Sequence, residues 1–305
     1  MVIRRRKSSN HWVFLIRKIS KAVVKNRNPL SQILIVVSFL ALAVPSLAET
    51  RHLAHGIVLN GDFTQGGMVI GKAAPGTRLQ FGKRHLELAA DGTFVFGFGR
   101  DDAADQQLIL VDGHGNKTVL PFRISTRQYK IQRVNGLPPH TVTPPPEVMA
   151  RIQREAAVVV RARNIDSHFA YFRESFQWPA QGPITGVYGS QRIDNGEPRR
   201  PHFGVDIAAP RNAVIRAPAD GVVTMAYPDM FFSGDTMIID HGMGISTTYL
   251  HMNKMLVKKG QRVKRGQPIG LVGSKGRATG PHLCWRLNWF QVRLDPRLLM
   301  STPAP

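Results

Sequence analysis

Proline constrains this chain more than any other residue. The stretch Gly136–Pro146, GLPPHTVTPPP, holds five prolines in eleven residues. Proline lacks an N–H and has a fixed φ, so no helix or sheet ladder runs through such a segment. It makes an extended, semi-stiff spacer instead, and a chain of 305 residues has room for a domain on either side. Upstream, residues 49–126 break into short apolar runs such as GMVIGKA, TRLQFG, GTFVFGF, QLILVD and TVLPFRIS. Turn signals at Ala74-Pro75-Gly76, Asp91-Gly92 and Asp112-Gly113 separate them. That spacing predicts a small β-sandwich of immunoglobulin-like shape, with residues 127–146 as linker. Downstream, Val148, Ile152, Ala156, Val159, Ala162, Ile165, Phe169, Phe172 and Phe176 recur at steps of three or four. They predict a helix over 147–177, opened by Pro146-Glu147 and stopped by Trp178-Pro179. Residues 178–305 are strand-rich and glycine-punctuated, with hairpins expected at Ala217–Met225 and Val257–Gly273. The fold class is therefore mainly β: an accessory sandwich, a connecting helix and a C-terminal β barrel or hybrid domain.

The residues capable of chemistry concentrate in that last segment. His202-x-x-x-Asp206 and His282-x-Cys284 supply imidazole, carboxylate and thiol donors, all suited to Zn²⁺. In a straight strand the four-residue step would cover ~13 Å, too far for one ion, so the backbone must bend, and Gly204 is the residue that permits it. Two residues apart on a strand share a face, so His282 and Cys284 look into one pocket. His202, Asp206 and Cys284 make three ligands, which is the open arrangement of a catalytic zinc. His251 and His282 are then free to handle a proton and an oxyanion.

The flanking text is more specific than either window. GVYGSQR (186–192), PHFGVDIAAP (201–210), IRAPADGVV (215–223), IIDHGMGISTTYLHM (238–252), VKKGQRVKRGQPIGLVG (257–273) and TGPHLCW (279–285) together resemble the lysostaphin-type, or LytM-like, zinc metalloendopeptidases. Those enzymes cut the peptide part of bacterial peptidoglycan. The resemblance implies zinc on His202 and Asp206, with His251 and His282 acting on water and substrate. Cys284 stands where that family has its third zinc-binding histidine. Two readings follow: Cys284 ligates zinc as a thiolate, or the site is degenerate and the domain binds cell wall or regulates another wall hydrolase.

Residues nearby fit substrate roles. Arg199 and Arg200 precede the first ligand and suit a peptide carboxylate. Asn195 and Gln191 share their loop, and Tyr249 has a hydroxyl for an oxyanion. His241 is expected to be structural.

Residues 1–48 carry nine Lys or Arg and no acid, with an apolar run from Ile33 to Val44 and a small-x-small site at Ser46-Leu47-Ala48. This is a signal-peptide pattern, predicting a periplasmic or cell-envelope protein; the membrane is a partner only if the segment is retained. Removing those nine positives from the formal +21 leaves +12. Without a nucleic-acid motif, that charge points to an anionic envelope surface. One cysteine excludes an intramolecular disulfide, and a lone thiol in an oxidising compartment is protected by burial or ligation.

Overall fold

Short apolar runs cut by turn residues fold here into strands that must pair to bury one face. The computed structural model describes residues 48–112, 114–135 and 146–300; all of the 1–48 leader but its last residue, and most of the proline stretch, lie outside the described residues. The first eight strands are β1 (Glu49–His52), β2 (Val58–Gly61), β3 (Met68–Lys72), β4 (Arg78–Phe81), β5 (Arg84–Leu86), β6 (Thr93–Gly97), β7 (Asp105–Val111) and β8 (Lys117–Arg123). They form two four-stranded antiparallel sheets, ordered β1-β2-β3-β6 and β5-β4-β7-β8. Phe63, Phe81, Phe94, Phe96, Phe98 and Phe122 fill the space between, with ring centroids 4.5–6.5 Å apart. The expected sandwich is present, but its strand order is not the ABED/CFG pairing of an immunoglobulin domain.

Two boundaries differ from the sequence expectation. Part of the linker is a strand, β9 (Ile131–Val134), which pairs in parallel with β11 (Gln191–Asp194). Together with β10 (Ile184–Gly186) and β12 (Glu197–Pro198), these are the strands that lead into the first metal window. The helix is also shorter than its apolar stripe suggests. After a 3-10 turn at Pro146–Val148, helix α1 runs Met149–Arg163 and ends at Asn164. Phe172 and Phe176 are buried all the same, from a 3-10 turn and loop packed on the sheet. Tertiary burial satisfied those phenylalanines without helical periodicity.

The remaining strands are β13 (Val205–Ala208), β14 (Val214–Arg216), β15 (Gly221–Met230), β16 (Gly234–Gly242), β17 (Ile245–Met255), β18 (Arg262–Val263), β19 (Pro268–Val272), β20 (His282–Trp289) and β21 (Val292–Leu294). They build a ten-stranded sheet whose main path is β10-β13-β20-β17-β16-β15-β18. Strand alternation sorts side chains onto two faces. One face carries Val205, Ile207, Val223, Met237, Ile239, Tyr249, Leu283 and Trp285 into a closed core. On the opposite face, α1 lays Ala162 against Met225, Met230 and Ile238 of β15 and β16. The helix thus packs over β15 and β16 and leaves β13, β20 and β17 beside it as the groove face.

The accessory sandwich is no tethered spacer. Its core continues into Met243, Ile245, Leu287, Trp289 and Leu294 of the second domain. Arg127 Nη1 pairs with the buried Asp295 Oδ2 at 2.8 Å across that seam. No helix among the described residues is long and apolar enough to cross a membrane.

Candidate metal centre

Cross-strand register brings the two windows together. β13 and β20 pair antiparallel with Asp206 opposite Cys284 and Ala208 opposite His282. Opposed residues share a face, so Asp206, Cys284 and His282 all project into the groove. His202 arrives from the loop before β13, tied by His202 N→Ser190 O at 2.8 Å and Gly189 N→His202 O at 2.7 Å. Its Nε2 lies 3.1 Å from Asp206 Oδ1 and 3.4 Å from Cys284 Sγ. The three ligand atoms all fall within 4.8 Å of one another.

Gly204 permits this approach for a reason other than backbone bending. Its φ is not in the left-handed region; a β-carbon there would come 2.5 Å from the Trp285 carbonyl oxygen and 2.6 Å from Arg286 Cγ. The loop must lie directly on β20. Gly186 has the same role beside the carboxylate, since a β-carbon would sit 2.2 Å from Asp206 Oδ2.

The donor set fits zinc. Asp206 Oδ1 is shut from solvent and, although close to His202, accepts no well-oriented hydrogen bond. An orphaned buried carboxylate oxygen wants a cation. Cys284 is only 2% exposed, as a protected thiol ligand should be. His202 Nδ1 lies 3.3 Å from the Val187 carbonyl, which holds its proton on Nδ1 and turns the Nε2 lone pair toward the other donors. Burial opposes charge on this ring, but the Asp206 carboxylate and Cys284 beside its Nε2 outweigh it and raise its pKa to about 10. Burial likewise opposes the Asp206 charge, and its pKa is nonetheless lowered by His202. Without a metal, a proton holds these groups together; a cation would take that proton's place.

The second histidine pair depends on a defect in the sheet. Tyr249 and Met252 both point into the closed core although they are three residues apart. Regular alternation forbids this. The register shifts between Met237↔Tyr249 and Asp235↔Met252, so β17 carries one extra residue. His251 takes the strain at φ 64°. This bulge re-aims His251 from the core face to the groove, a known use of bulges beside active sites. Its ring lies 4.7 Å from that of His282, centroid to centroid. His251 Nδ1 donates to Lys275 O at 2.8 Å and His282 Nδ1 to Gly280 O at 2.9 Å. In each neutral ring Nε2 is then the nitrogen left to accept. His282 Nε2 is 3.9 Å from Asp206 Oδ1. Burial lowers the His251 pKa to about 4, so this ring is neutral at physiological pH.

Of the other expected site residues, Tyr249 is a correction. It pairs with Trp285 on the core face, is wholly buried, and exchanges its hydroxyl hydrogen bond with Thr247 Oγ1 at 2.8 Å. Asn195 sits at φ 52° in the Asn195-Gly196 turn joining β11 to β12, a geometry that accounts for it structurally. Gln191 Nε2 bonds Arg199 O at 2.7 Å and braces the same hairpin. Arg200 is exposed and lies over Phe203. His241 is structural, as expected. The residue that sequence reading passed over is Arg286, whose Nε lies 3.5 Å from Cys284 Sγ. Strand alternation two residues past Cys284 already places it on the groove face.

Comparison with known proteins follows the same stretch. Residues 200–296, which include all five groove residues, match the model of Peptidase family M23. The chain is 45% identical over 104 residues to Peptidoglycan DD-endopeptidase ShyA of Vibrio cholerae serotype O1, covering 30% of this chain and 24% of that protein. It is 47% identical over 121 residues to Peptidoglycan DD-endopeptidase ShyB of the same organism, covering 39% and 25%. It thus spans about a quarter of the length of these curated relatives. The crystal structure of a putative peptidase M23 from Pseudomonas aeruginosa superposes with a TM-score of 0.62 at 27% identity, covering 78% of this chain and 95% of that one. That coverage takes in the accessory sandwich as well.

Proposed function

From the match of residues 200–296 to Peptidase family M23, we propose that this chain is a zinc-dependent endopeptidase acting in the cell envelope on peptide bonds of peptidoglycan. One observation carries the reading: three ligand atoms within 4.8 Å stand beside two histidines whose Nδ1 atoms are each held by a backbone carbonyl, leaving Nε2 for chemistry. His202, Asp206 and Cys284 would hold the ion. When bound, Zn²⁺ polarises a carbonyl and makes a water more acidic.

The chain's own groups do the rest. Water loses a proton to a histidine Nε2 as its oxygen bonds to the scissile carbonyl carbon. His282 suits that proton, because the Asp206 carboxylate 3.9 Å away offsets the charge it brings. His251 is disfavoured as a cation by burial and serves as the neutral acceptor that orients the water. The new Nε2–H then stabilises the oxyanion and returns the proton to the leaving amine as the C–N bond breaks. Curated relatives named peptidoglycan DD-endopeptidases support the substrate class.

A second reading is favoured by one feature. Cys284 and the adjacent Arg286 make the third ligand position unlike an imidazole, and a degenerate domain that docks on wall or on a wall hydrolase would tolerate that. Zinc per purified chain, followed by release of new amino termini from purified peptidoglycan, separates the two. Bound zinc with cleavage supports the peptidase. Absent zinc, or zinc without cleavage of any stem, overturns it in favour of the docking domain.

A further inference from the structure

Beyond Cys284 the groove face turns strongly basic. Arg286 follows on β20, and its cross-strand partner on β17 is Thr248. Thr248 Oγ1 accepts from Arg163 Nη2 at 3.2 Å, the last residue of α1. Arg163 is only 3% exposed, and its Nε and Nη1 have no hydrogen-bond partner. The charges that bear on it are Arg293, Arg286 and Arg200, all positive. Arg293 and Arg200 both lie on the Phe203 ring, 5.9 and 5.7 Å from its centroid. A buried guanidinium with two idle donors, facing three more cations, is costly unless an anion completes it. Burial and the neighbouring guanidiniums hold Arg163 well below its usual range and Arg293 down to about 9.

Resting on the peptidase reading, we infer that Arg163, Arg286 and Arg293 form a subsite for a free carboxylate of the wall peptide, entered past the exposed Arg200. Guanidinium forks match a carboxylate with paired N–H donors. The cluster adjoins the metal ligands through the Arg286 Nε to Cys284 Sγ contact of 3.5 Å, so a carboxylate held there fixes the scissile bond's distance from the ion. Arg163 and Arg293 are then positioning residues for binding and do not react.

The test is equilibrium binding to the full chain stripped of metal, so that turnover does not interfere. The probes are a cross-linked stem peptide with its carboxylates free and the same peptide with them amidated. The free acid is expected to bind about 10–100-fold tighter, the range of a charge-assisted pair, and Arg163→Met or Arg293→Gln should erase the preference. Arg163→Met removes an unpaired charge and should melt no lower than the parent; if it fails to fold, Arg293→Gln carries the test. Equal binding of acid and amide overturns the subsite. So does a preference that survives both substitutions, or no binding of the acid at millimolar concentration. Cleavage by the zinc-loaded parent is scored separately. Cleavage without acid preference sinks the subsite alone, and acid preference without cleavage sinks the peptidase alone.

Discussion

Acid should unfold this protein through a histidine that never touches substrate. His241 lies in β16 and is wholly buried, with the Phe176 ring 5.2 Å away. Its Nδ1 donates to Asp220 O at 2.7 Å, and its Nε2 accepts from Thr247 Oγ1 at 2.8 Å. Thr247 in turn meets the Tyr249 hydroxyl at 2.8 Å. The chain of donors leaves no place for a second proton, and burial lowers the pKa from 6.5 to about 4. The folded-state value lies below the unfolded one, so across that window only the unfolded chain takes up the proton. The stabilisation is full above pH 6.5 and is lost as pH falls toward about 4. At about 1.4 kcal/mol per pH unit this amounts to roughly 3 kcal/mol over the window, a large part of an ordinary domain's stability. The perturbation is His241→Gln, whose amide can donate to Asp220 O and accept from Thr247 without titrating. Urea midpoints of the metal-free chain are compared at about pH 7.5 and about pH 4.5; the parent should lose some 2–3 kcal/mol more than the variant on acidification. Every other group, His251 included, titrates in both proteins and cancels. If parent and variant fall in parallel, the neutral-lock account of His241 is wrong.

Other outcomes are expected at the groove. Cobalt loaded in place of zinc should show a sulfur-to-metal charge-transfer band that disappears in Cys284→Ala; a spectrum unchanged by that substitution would remove Cys284 from the ligand set. His282→Ala should lower kcat by about 10²–10⁴-fold while zinc content, read by elemental analysis, stays at the parent's value. His202→Ala should instead empty the site, and if His282→Ala empties it equally the assigned roles are reversed. Gly204→Ala forces a β-carbon against the Trp285 carbonyl oxygen, so calorimetric melting should show a loss of roughly 1–3 kcal/mol together with weaker metal binding.

Short apolar runs, turn residues and a proline-rich segment determined that this chain would be mostly β in two parts joined near a helix, because period and punctuation are local properties. Ligand chemistry was equally legible, since His202, Asp206, His282 and Cys284 declare their donors by type. Four things were decided by the tertiary structure alone. The helix stopped at Arg163 because Phe172 and Phe176 found the sheet without helical geometry. Gly204 proved to be a matter of space against β20, which no φ preference announces. An extra residue in β17 sent Tyr249 to the core and His251 to the groove, reversing what alternation from Tyr249 would give. The four arginines, scattered over 130 positions from Arg163 to Arg293, became one cluster only when α1, the His202 loop, β20 and β21 packed around Thr248 and Phe203. A sequence states which groups a chain owns; pairing register and packing across distant segments determine which of them meet.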